Sequence, residues 1–160
     1  MILLTGHKGF IGTNLVNYLL KKRYFVINID KLTYASNKYN SINKKNYKFF
    51  RLDINNKKKL RELLLKFKPV AIFNLAAETH VDRSIDGPKN FIDTNVIGVF
   101  NLLETLRKLK KKLKIKLIHI STDEVYGDIN RKLRSDENYP YNPSSPYSAS
   151  KASADHLIKS

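Results

Sequence analysis

Two adjacent acids, Asp123 and Glu124, lie in the segment STDEVYG, residues 121–127. This segment directly follows an apolar run, residues 115–120. Carboxylates at the end of a strand that is predicted to be buried are costly unless something hydrates or uses them. A hydroxyl, Thr122, precedes the acids, and an aromatic hydroxyl, Tyr126, follows them. The segment is therefore a candidate for chemistry. The alternative is that the two acids only begin a helix, where short polar side chains are favoured as caps.

A second candidate is the tyrosine–lysine pair in SPYSASK, residues 145–151. Tyr147 and Lys151 are four residues apart and would share one face of a helix. An ammonium group near a phenol favours the phenolate and lowers the pKa of the phenol. Tyr147 could then act as the base for a substrate hydroxyl while a hydride leaves to a nicotinamide. The alternative interpretation is an ordinary tyrosine–lysine pair on the protein surface. A dinucleotide site elsewhere in the same chain favours the functional interpretation over this one.

Such a site is predicted in TGHKGFIG, residues 5–12, whose glycines are spaced G-x-x-G-x-x-G. Gly6 allows a tight turn out of a strand, Gly9 lets the backbone approach a pyrophosphate, and Gly12 permits close packing of the following helix. The start of that helix offers N–H groups to phosphates. Glycines alone are a weak signal, because turns and tight contacts also use them. His7 and Lys8 are bulky for such a loop.

Asp30 strengthens the prediction, because it ends the second predicted strand eighteen residues after Gly12. An acid at this place accepts hydrogen bonds from the adenosine ribose and favours NAD over NADP. The alternative is a simple turn aspartate.

Strands and helices that alternate along the chain must position these residues. Apolar patterning predicts strands over residues 2–5, 25–29, 47–52, 70–75 and 115–120, and helices over 10–22, 57–68, 91–110 and from 146 to the end. A polar loop is expected over 34–46 and a loop rich in Pro, Ser and Tyr before residue 146. This alternation predicts an α/β fold with a doubly wound, mostly parallel sheet, formed by residues 1–160 as one Rossmann-like NAD-binding domain.

Composition excludes several classes of protein. The 160 residues have 42% hydrophobic content, enough for a core, and no cysteine, which excludes disulfides and thiolate metal sites and fits a cytoplasmic location. No apolar run is long enough for a membrane span, and no signal peptide is recognisable. The formal charge of +16 is spread over several lysine clusters without a recognisable binding module, which argues against nucleic acid as the principal partner. It could attract a phosphorylated substrate.

The glycine loop and the Tyr-x-x-x-Lys pair resemble the extended short-chain dehydrogenase/reductase superfamily. Longer motifs resemble the dTDP-glucose 4,6-dehydratase family, which belongs to the NAD-dependent epimerases and dehydratases. These motifs are DKLTYA (30–35), NLAAETHVDRSIDGP (74–88), TNVIG (94–98), STDEVYG (121–127) and SPYSASKASADHL (145–157). Relatives that only epimerise the sugar share the glycine loop and the tyrosine–lysine pair, but usually have small residues in place of Asp123 and Glu124.

The resemblance implies a lyase of nucleotide-sugar metabolism that converts dTDP-glucose to the 4-keto-6-deoxy sugar used in rhamnose and other deoxysugar synthesis. It implies that Asp123 is the general acid and Glu124 the general base. Thr122 would bind the sugar at the oxidised carbon, and Tyr147 with Lys151 would serve the redox step. Thr79, where the family usually has Ser, would contact the substrate, and His80 and Arg83 are further candidates to face the active site.

The resemblance also implies a set of residues in contact with NAD. These are Gly6, Gly9, Phe10, Ile11, Gly12, Asp30, Lys31, Leu32, Thr33, Asp53, Ile54, Leu75, Ala76, Ala77, Thr94, Tyr147 and Lys151. His119 is expected to be a core histidine. No spacing of His, Asp and Glu suits a metal, so we expect none.

Family members are longer than this chain, and their second half supplies the sugar-nucleotide pocket. We therefore expect residues 1–160 to be an N-terminal half that lacks the substrate-binding part. Its partner would be a second copy in a homodimer, if the protein is full length, or a separately encoded second half. The alternatives are a non-catalytic NAD-binding half that needs a partner chain, a sugar-nucleotide 4-epimerase, and a basic nucleic-acid or scaffold protein.

Overall fold

Five parallel strands form one sheet in the order β3-β2-β1-β4-β5 in this computed structural model, which describes residues 1–34, 36, 42, 44–129 and 134–160. The strands are β1 (Ile2–Thr5), β2 (Val26–Asp30), β3 (Tyr47–Arg51), β4 (Ala71–Asn74) and β5 (Lys116–His119). The order passes outward from β1 in both directions, so a crevice forms beyond the carboxyl end of β1, where dinucleotides bind in such sheets.

Helices cover both faces of this sheet, because neighbouring residues of a buried strand point to opposite sides. Leu3 packs in a cluster with Leu60 and Leu64 of α2 (Lys57–Phe67). Ile2 and Leu4 pack on the opposite face with residues of α1 (Phe10–Lys21). The fold predicted from the sequence, a doubly wound parallel sheet, is confirmed.

The chain divides into two compact units. Met1–Ala76 with Asn101–Ile120 contains all five strands and is called the sheet unit below; Ala77–Phe100 with Ser121–Ser160 is called the helical unit. The prediction of one domain over residues 1–160 stays a prediction.

The helical unit contains elements that the sequence did not predict separately. They are α3 (Val81–Asp86) and a 3₁₀ turn (Asp123–Tyr126). The predicted helix over 91–110 is α4 (Lys89–Phe91), a π-helical segment (Ile92–Ile97) and α5 (Gly98–Leu109), which continues into the sheet unit. The last helix, α6, spans Pro146–Lys159.

Part of the predicted polar loop over residues 34–46 lies outside the described residues, as does Ala35 of the DKLTYA motif. Among the residues described, no helix combines the length and apolar character that a membrane span requires.

Candidate active site

Two glycines allow close backbone contacts around the loop between β1 and α1. Gly6 has φ of 71°, and a Cβ atom on it would lie 2.7 Å from the backbone of Ala76. A Cβ atom on Gly12 would lie 2.5 Å from the Cα atom of His7. Side chains cannot be accommodated at either position without moving backbone.

Gly9 differs from these two glycines. A Cβ atom there would be 3.5 Å from the Gly6 carbonyl oxygen, an ordinary contact. The protein itself therefore leaves room for a methyl group at Gly9. Gly9 is the N-cap residue of α1, and the first two residues of this helix, Phe10 and Ile11, are 86% and 56% exposed. Exposed N-terminal residues of a helix suit contact with a phosphate group.

Asp30 at the end of β2 is buried and accepts three hydrogen bonds. Its carboxylate accepts from the Lys8 N–H at 2.9 Å, the Leu32 N–H at 2.8 Å and the Ser36 hydroxyl at 3.4 Å. It therefore holds the glycine loop and its own turn, in which Leu32 has φ of 62°. A carboxylate has about four acceptor sites, which leaves capacity for a ribose hydroxyl. The turn interpretation and the ribose interpretation are thus compatible.

His7 is fully buried inside the same loop, although it was singled out from the sequence only as a bulky exception. Its ring bonds to the Asn28 side-chain amide of β2 and lies 3.4 Å from the Tyr47 hydroxyl of β3. The pKa of His7 is lowered to about 4, mainly by burial and secondarily by the charge of Lys8, while the charge of Asp30 opposes the shift. A neutral imidazole therefore anchors the loop to two strands.

The remaining predicted cofactor residues of the sheet unit lie at the same carboxyl edge. Thr5 donates to Asn74 at 2.6 Å and accepts from the Ala76 N–H at 3.0 Å, which positions the end of β4 beside β1. Asn74 also bonds to His119 of β5 at 2.9 Å. The predicted set at this edge further includes Lys31, Thr33, Asp53, Ile54 and Leu75, of which Ile54 is buried at 4% exposure.

In the helical unit, α6 places Tyr147 and Lys151 on its buried face. Ser145 caps the helix by accepting from the Ser148 N–H at 3.0 Å, and Pro146 occupies the first turn. The Tyr147 N–H, which has no intrahelical acceptor so near the start, donates to the Ser84 hydroxyl at 3.0 Å. Tyr147 is 8% exposed and Lys151 is 4% exposed.

Tyr147 lies near three residues of the STDEVYG motif, namely Thr122, Asp123 and Glu124. Burial raises the pKa of its phenol, a hydrogen bond with Thr122 lowers it, and the carboxylates of Glu124 and Asp123 raise it. The structure thus brings Thr122, both acids and Tyr147 together. The sequence predicts a lowered pKa for Tyr147, whereas the structure gives a raised one, because burial of the phenol is the largest contribution.

Burial also lowers the pKa of Lys151 to about 8, and the Asp155 carboxylate one turn later opposes that shift. An ammonium group is disfavoured in a buried site, whereas a nearby carboxylate favours it. Lys151 is therefore close to losing its charge in mildly alkaline solution.

The acids do not cap a helix. They lie within the 3₁₀ turn, and Thr122 is its cap, accepting from the Glu124 N–H at 3.3 Å. The carboxylates of Asp123 and Glu124 are exposed. The alternative of a capping pair is thereby disfavoured, and the acids are available to a ligand.

Other predicted residues of the helical unit lie around α3 and the π-helical segment. Thr94 is buried and Ala77 is half-buried, whereas Thr79, His80 and Arg83 are exposed. The roles predicted for all these side chains stay predictions. In the part of the chain that is described, no group of three or more His, Cys, Asp or Glu side chains is arranged to hold a metal.

Two buried residues of the helical unit were missed. Asn95 bonds to the Glu78 backbone N–H at 2.9 Å and carbonyl at 3.0 Å, and donates to the Ser150 hydroxyl at 2.9 Å. Asp155 accepts from Ser121 and Tyr141. A polar residue on an otherwise apolar helix face was the available signal for Asn95, and the i, i+4 spacing from Lys151 was the signal for Asp155.

Known proteins similar to this chain are sugar-nucleotide enzymes. The family model described as GDP-mannose 4,6 dehydratase matches residues 3–160. A probable dTDP-glucose 4,6-dehydratase of Sinorhizobium fredii is 46% identical over 166 residues, which cover 98% of this chain and 47% of that protein. The chain thus spans about half the length of the curated relatives it matches.

Two solved structures show the same likeness. That of dTDP-glucose 4,6-dehydratase from Bacillus anthracis in complex with NAD has a TM-score of 0.86 at 43% identity, covering 98% of this chain and 48% of that one. That of UDP-glucose 4-epimerase from Thermus thermophilus, also with NAD, has a TM-score of 0.87 at 32% identity, covering 99% and 49%.

Proposed function

The chain belongs to the family described as GDP-mannose 4,6 dehydratase, and from that membership we propose that it carries the NAD site and the acid–base residues of a dTDP-glucose 4,6-dehydratase. The product would be the 4-keto-6-deoxy sugar nucleotide. The single observation that carries this choice is the cluster of Thr122, Asp123 and Glu124 at the Tyr147 phenol. An enzyme that only oxidises and reduces C4 has no use for two acids there.

The first step in this proposal is oxidation at C4. When held by the glycine loop and Asp30, NAD would supply the hydride acceptor for C4 and the hydride donor for C6. Tyr147 accepts the proton of the C4 hydroxyl while Thr122 hydrogen-bonds the same oxygen. Because burial raises the pKa of Tyr147, its deprotonation requires added positive charge, which we assign to Lys151 and the oxidised nicotinamide.

The second step is elimination of water across C5 and C6. The C4 ketone acidifies the C5 proton, which Glu124 removes, and Asp123 protonates the departing C6 hydroxyl. The resulting double bond accepts hydride at C6 and a proton at C5 from Glu124. Each acid–base step of this kind typically contributes about 10² to 10⁴ in rate. Tyr147 loses to solvent the proton that it took from the C4 hydroxyl, and Asp123 regains a proton from solvent. One water therefore leaves, and no other reagent is consumed.

The test is to incubate the purified chain and NAD with dTDP-glucose, alone and with the second half of a full-length relative supplied as a separate polypeptide. We expect 4-keto-6-deoxy product in at least the complemented reaction. Product detection by mass spectrometry separates the outcomes, since dehydration lowers the mass by one water and epimerisation leaves it unchanged.

Two variants locate the chemistry within the chain. Tyr147→Phe should abolish reduction of NAD while leaving its binding nearly intact. Asp123→Asn with Glu124→Gln should still reduce NAD but stall before loss of water, because amides of similar size cannot exchange these protons. Normal dehydration by the double variant would refute the roles assigned to the acids.

A 4-epimerase is the second candidate, and the likeness to the Thermus thermophilus epimerase supports it. It predicts interconversion of two sugar nucleotides of equal mass. That product from the unmodified chain would replace the dehydratase proposal.

We further propose a cytoplasmic location and a homodimer, or a complex with a separate second-half chain, as the working form. The absence of cysteine in the sequence fits a reducing compartment. Gel filtration with and without the second-half polypeptide tests the assembly.

A further inference from the structure

Asp155 is a buried carboxylate to which neither the resemblance nor the proposed mechanism assigns a role. It lies on α6 one turn after Lys151 and is 7% exposed. It accepts hydrogen bonds from the Ser121 hydroxyl and, at 3.1 Å, from the Tyr141 hydroxyl. Two donors on one buried carboxylate offset the cost of its desolvation, and hydrogen bonds to a charged acceptor are the stronger kind.

One donor, Ser121, begins the segment that bears the acids, and the other, Tyr141, lies beside a residue that bonds to that segment. Ser121 immediately precedes Thr122. Tyr141 immediately precedes Asn142, whose N–H donates to the Val125 carbonyl at 3.0 Å. A Cβ atom on Gly127 would collide with the Asn142 carbonyl oxygen, so the backbones of these two residues lie in close contact. The Asp155 side chain is therefore connected to the segment at its beginning, through Ser121, and near its end, through Tyr141 and the adjoining Asn142.

Aromatic contacts add to the second of these connections. The rings of Tyr141 and Tyr126 are 5.4 Å apart in an edge-on arrangement. Lys159 donates to the Tyr141 hydroxyl at 3.3 Å, and its ammonium lies 4.9 Å from the centre of that ring. Tyr141 is thus fixed by α6 on one side and contacts the 3₁₀ turn on the other.

We propose that Asp155 is a positioning residue, which holds Asp123 and Glu124 at the reacting carbons through Ser121 and Tyr141. This rests on the proposed function, in which the two exposed acids must reach C5 and C6 of the sugar. A short 3₁₀ turn has few internal contacts that could hold it in one orientation. The Asp155 carboxylate is on the same helix as Tyr147, so its hydrogen bonds position the acids relative to Tyr147. Small displacements of such groups are costly to the rate.

The first experiment needs no activity. Amide hydrogen exchange of the full chain is followed by NMR for Val125 and Gly127, whose N–H groups donate to Thr122 and Glu124. In Asp155→Asn, which keeps the shape but loses the charge, we expect both amides to exchange about tenfold faster or more, the factor for one lost charge-assisted hydrogen bond. Ala149 in the first turn of α6 should be unchanged.

Ser153→Ala is the matched control, because the Ser153 hydroxyl is on the same helix and bonds to the Ala149 carbonyl. It should leave Val125 and Gly127 unaffected. If Asp155→Asn does not fold, Ser121→Ala combined with Tyr141→Phe removes the same two hydrogen bonds and should give the same local acceleration. Unchanged exchange, or equal acceleration throughout the chain, would overturn the proposal.

The second experiment separates positioning from general stabilisation. In active protein, Asp155→Asn should slow loss of the C5 proton, measured by deuterium uptake from solvent, at least tenfold more than it slows NAD reduction. Adding Ser121→Ala to Asp155→Asn should cost little more, since both act through one contact. Equal slowing of both steps, or fully additive effects, would contradict the proposal. If the wild type forms no dehydrated product, the proposed function fails while amide exchange still decides the role of Asp155.

Discussion

At the scale of single residues, the glycine loop contains two positions that the fold restricts to glycine and one that it does not. Neighbouring backbone leaves no space for a Cβ atom at Gly6 or Gly12, whereas a Cβ atom at Gly9 would make only an ordinary contact. We therefore expect the glycine at position 9 to serve the pyrophosphate of the proposed cofactor, whose approach a side chain would obstruct.

This difference predicts opposite phenotypes for two alanine variants. Gly9→Ala should unfold in urea like the wild type but bind NAD roughly tenfold or more weakly, because the methyl group occupies the space of the pyrophosphate. Gly12→Ala should lose about 1–3 kcal/mol of unfolding free energy through overpacking against His7. Urea titrations and calorimetric binding measure the two quantities. A stable Gly12→Ala with wild-type affinity would contradict the geometry.

Asp30 should determine the choice between the two nicotinamide dinucleotides. The wild type is expected to prefer NAD, because the 2′-phosphate of NADP would approach a buried carboxylate. Asp30→Ala should weaken NAD binding and reduce the ratio of NAD to NADP affinity. Since Asp30 also holds the backbone of Lys8 and Leu32, stability will fall as well. The ratio distinguishes recognition from stability, and equal affinities in the wild type would refute the role of Asp30.

At the scale of elements, His7 connects the glycine loop to β2 and β3 only while its ring is neutral. Its folded pKa is about 4 against 6.5 for the ordinary group. The unfolded chain therefore binds the proton more readily between these values. The stabilisation is complete above pH 6.5 and is lost as the pH falls toward 4.

We expect His7 to account for about 2 kcal/mol of lost unfolding free energy between pH 7.5 and pH 5. Urea unfolding of His7→Gln at both pH values should show a pH dependence smaller by that amount. His156→Gln, at an exposed histidine, is the control and should keep the wild-type dependence. An identical pH dependence in His7→Gln would show that His7 is not buried in neutral form.

The π-helical segment between α4 and α5 contains Asn95, a buried side chain that connects it to other parts of the helical unit. Asn95 within it directs both ends of its amide to the Glu78 backbone and to Ser150. π-helical turns are uncommon and often occur at functional sites. Here the turn allows one side chain to hold the backbone that follows β4 and the helix that carries Tyr147.

At the scale of the whole molecule, the formal charge of +16 favours anionic ligands such as dinucleotides and sugar nucleotides. The predicted adenosine, ribose and pyrophosphate contacts, including Asp30, Asp53 and the glycine loop, lie in the sheet unit. We therefore expect the chain to bind NAD without any second polypeptide.

Saturation with NAD should accordingly raise the thermal midpoint. At a ligand concentration of 100 times Kd the stabilisation is about 2.7 kcal/mol, which for a chain of this size corresponds to a Tm increase of roughly 5–10 °C. Differential scanning calorimetry measures the increase, and Gly9→Ala serves as the control with a smaller one. An unchanged Tm at saturating NAD would show that this chain alone does not form the site.

The sequence by itself determined the α/β order of elements, the glycine loop and the candidates Asp123, Glu124, Tyr147 and Lys151. Each of these depends on short-range information: hydrophobic periodicity, or spacing within a few residues. The boundaries of β1 were predicted without error, whereas α3 was missed because six residues, Val81–Asp86, are too few for a periodic pattern.

Only the tertiary structure decided which polar groups are buried and what they contact. His7 meets Asn28 and Tyr47, and Asp155 meets Ser121, at separations of 21, 40 and 34 residues along the chain. Partners so distant have no local signature. The upward shift in the pKa of Tyr147 likewise comes mainly from burial of its ring, which the spacing of Tyr147 and Lys151 does not reveal.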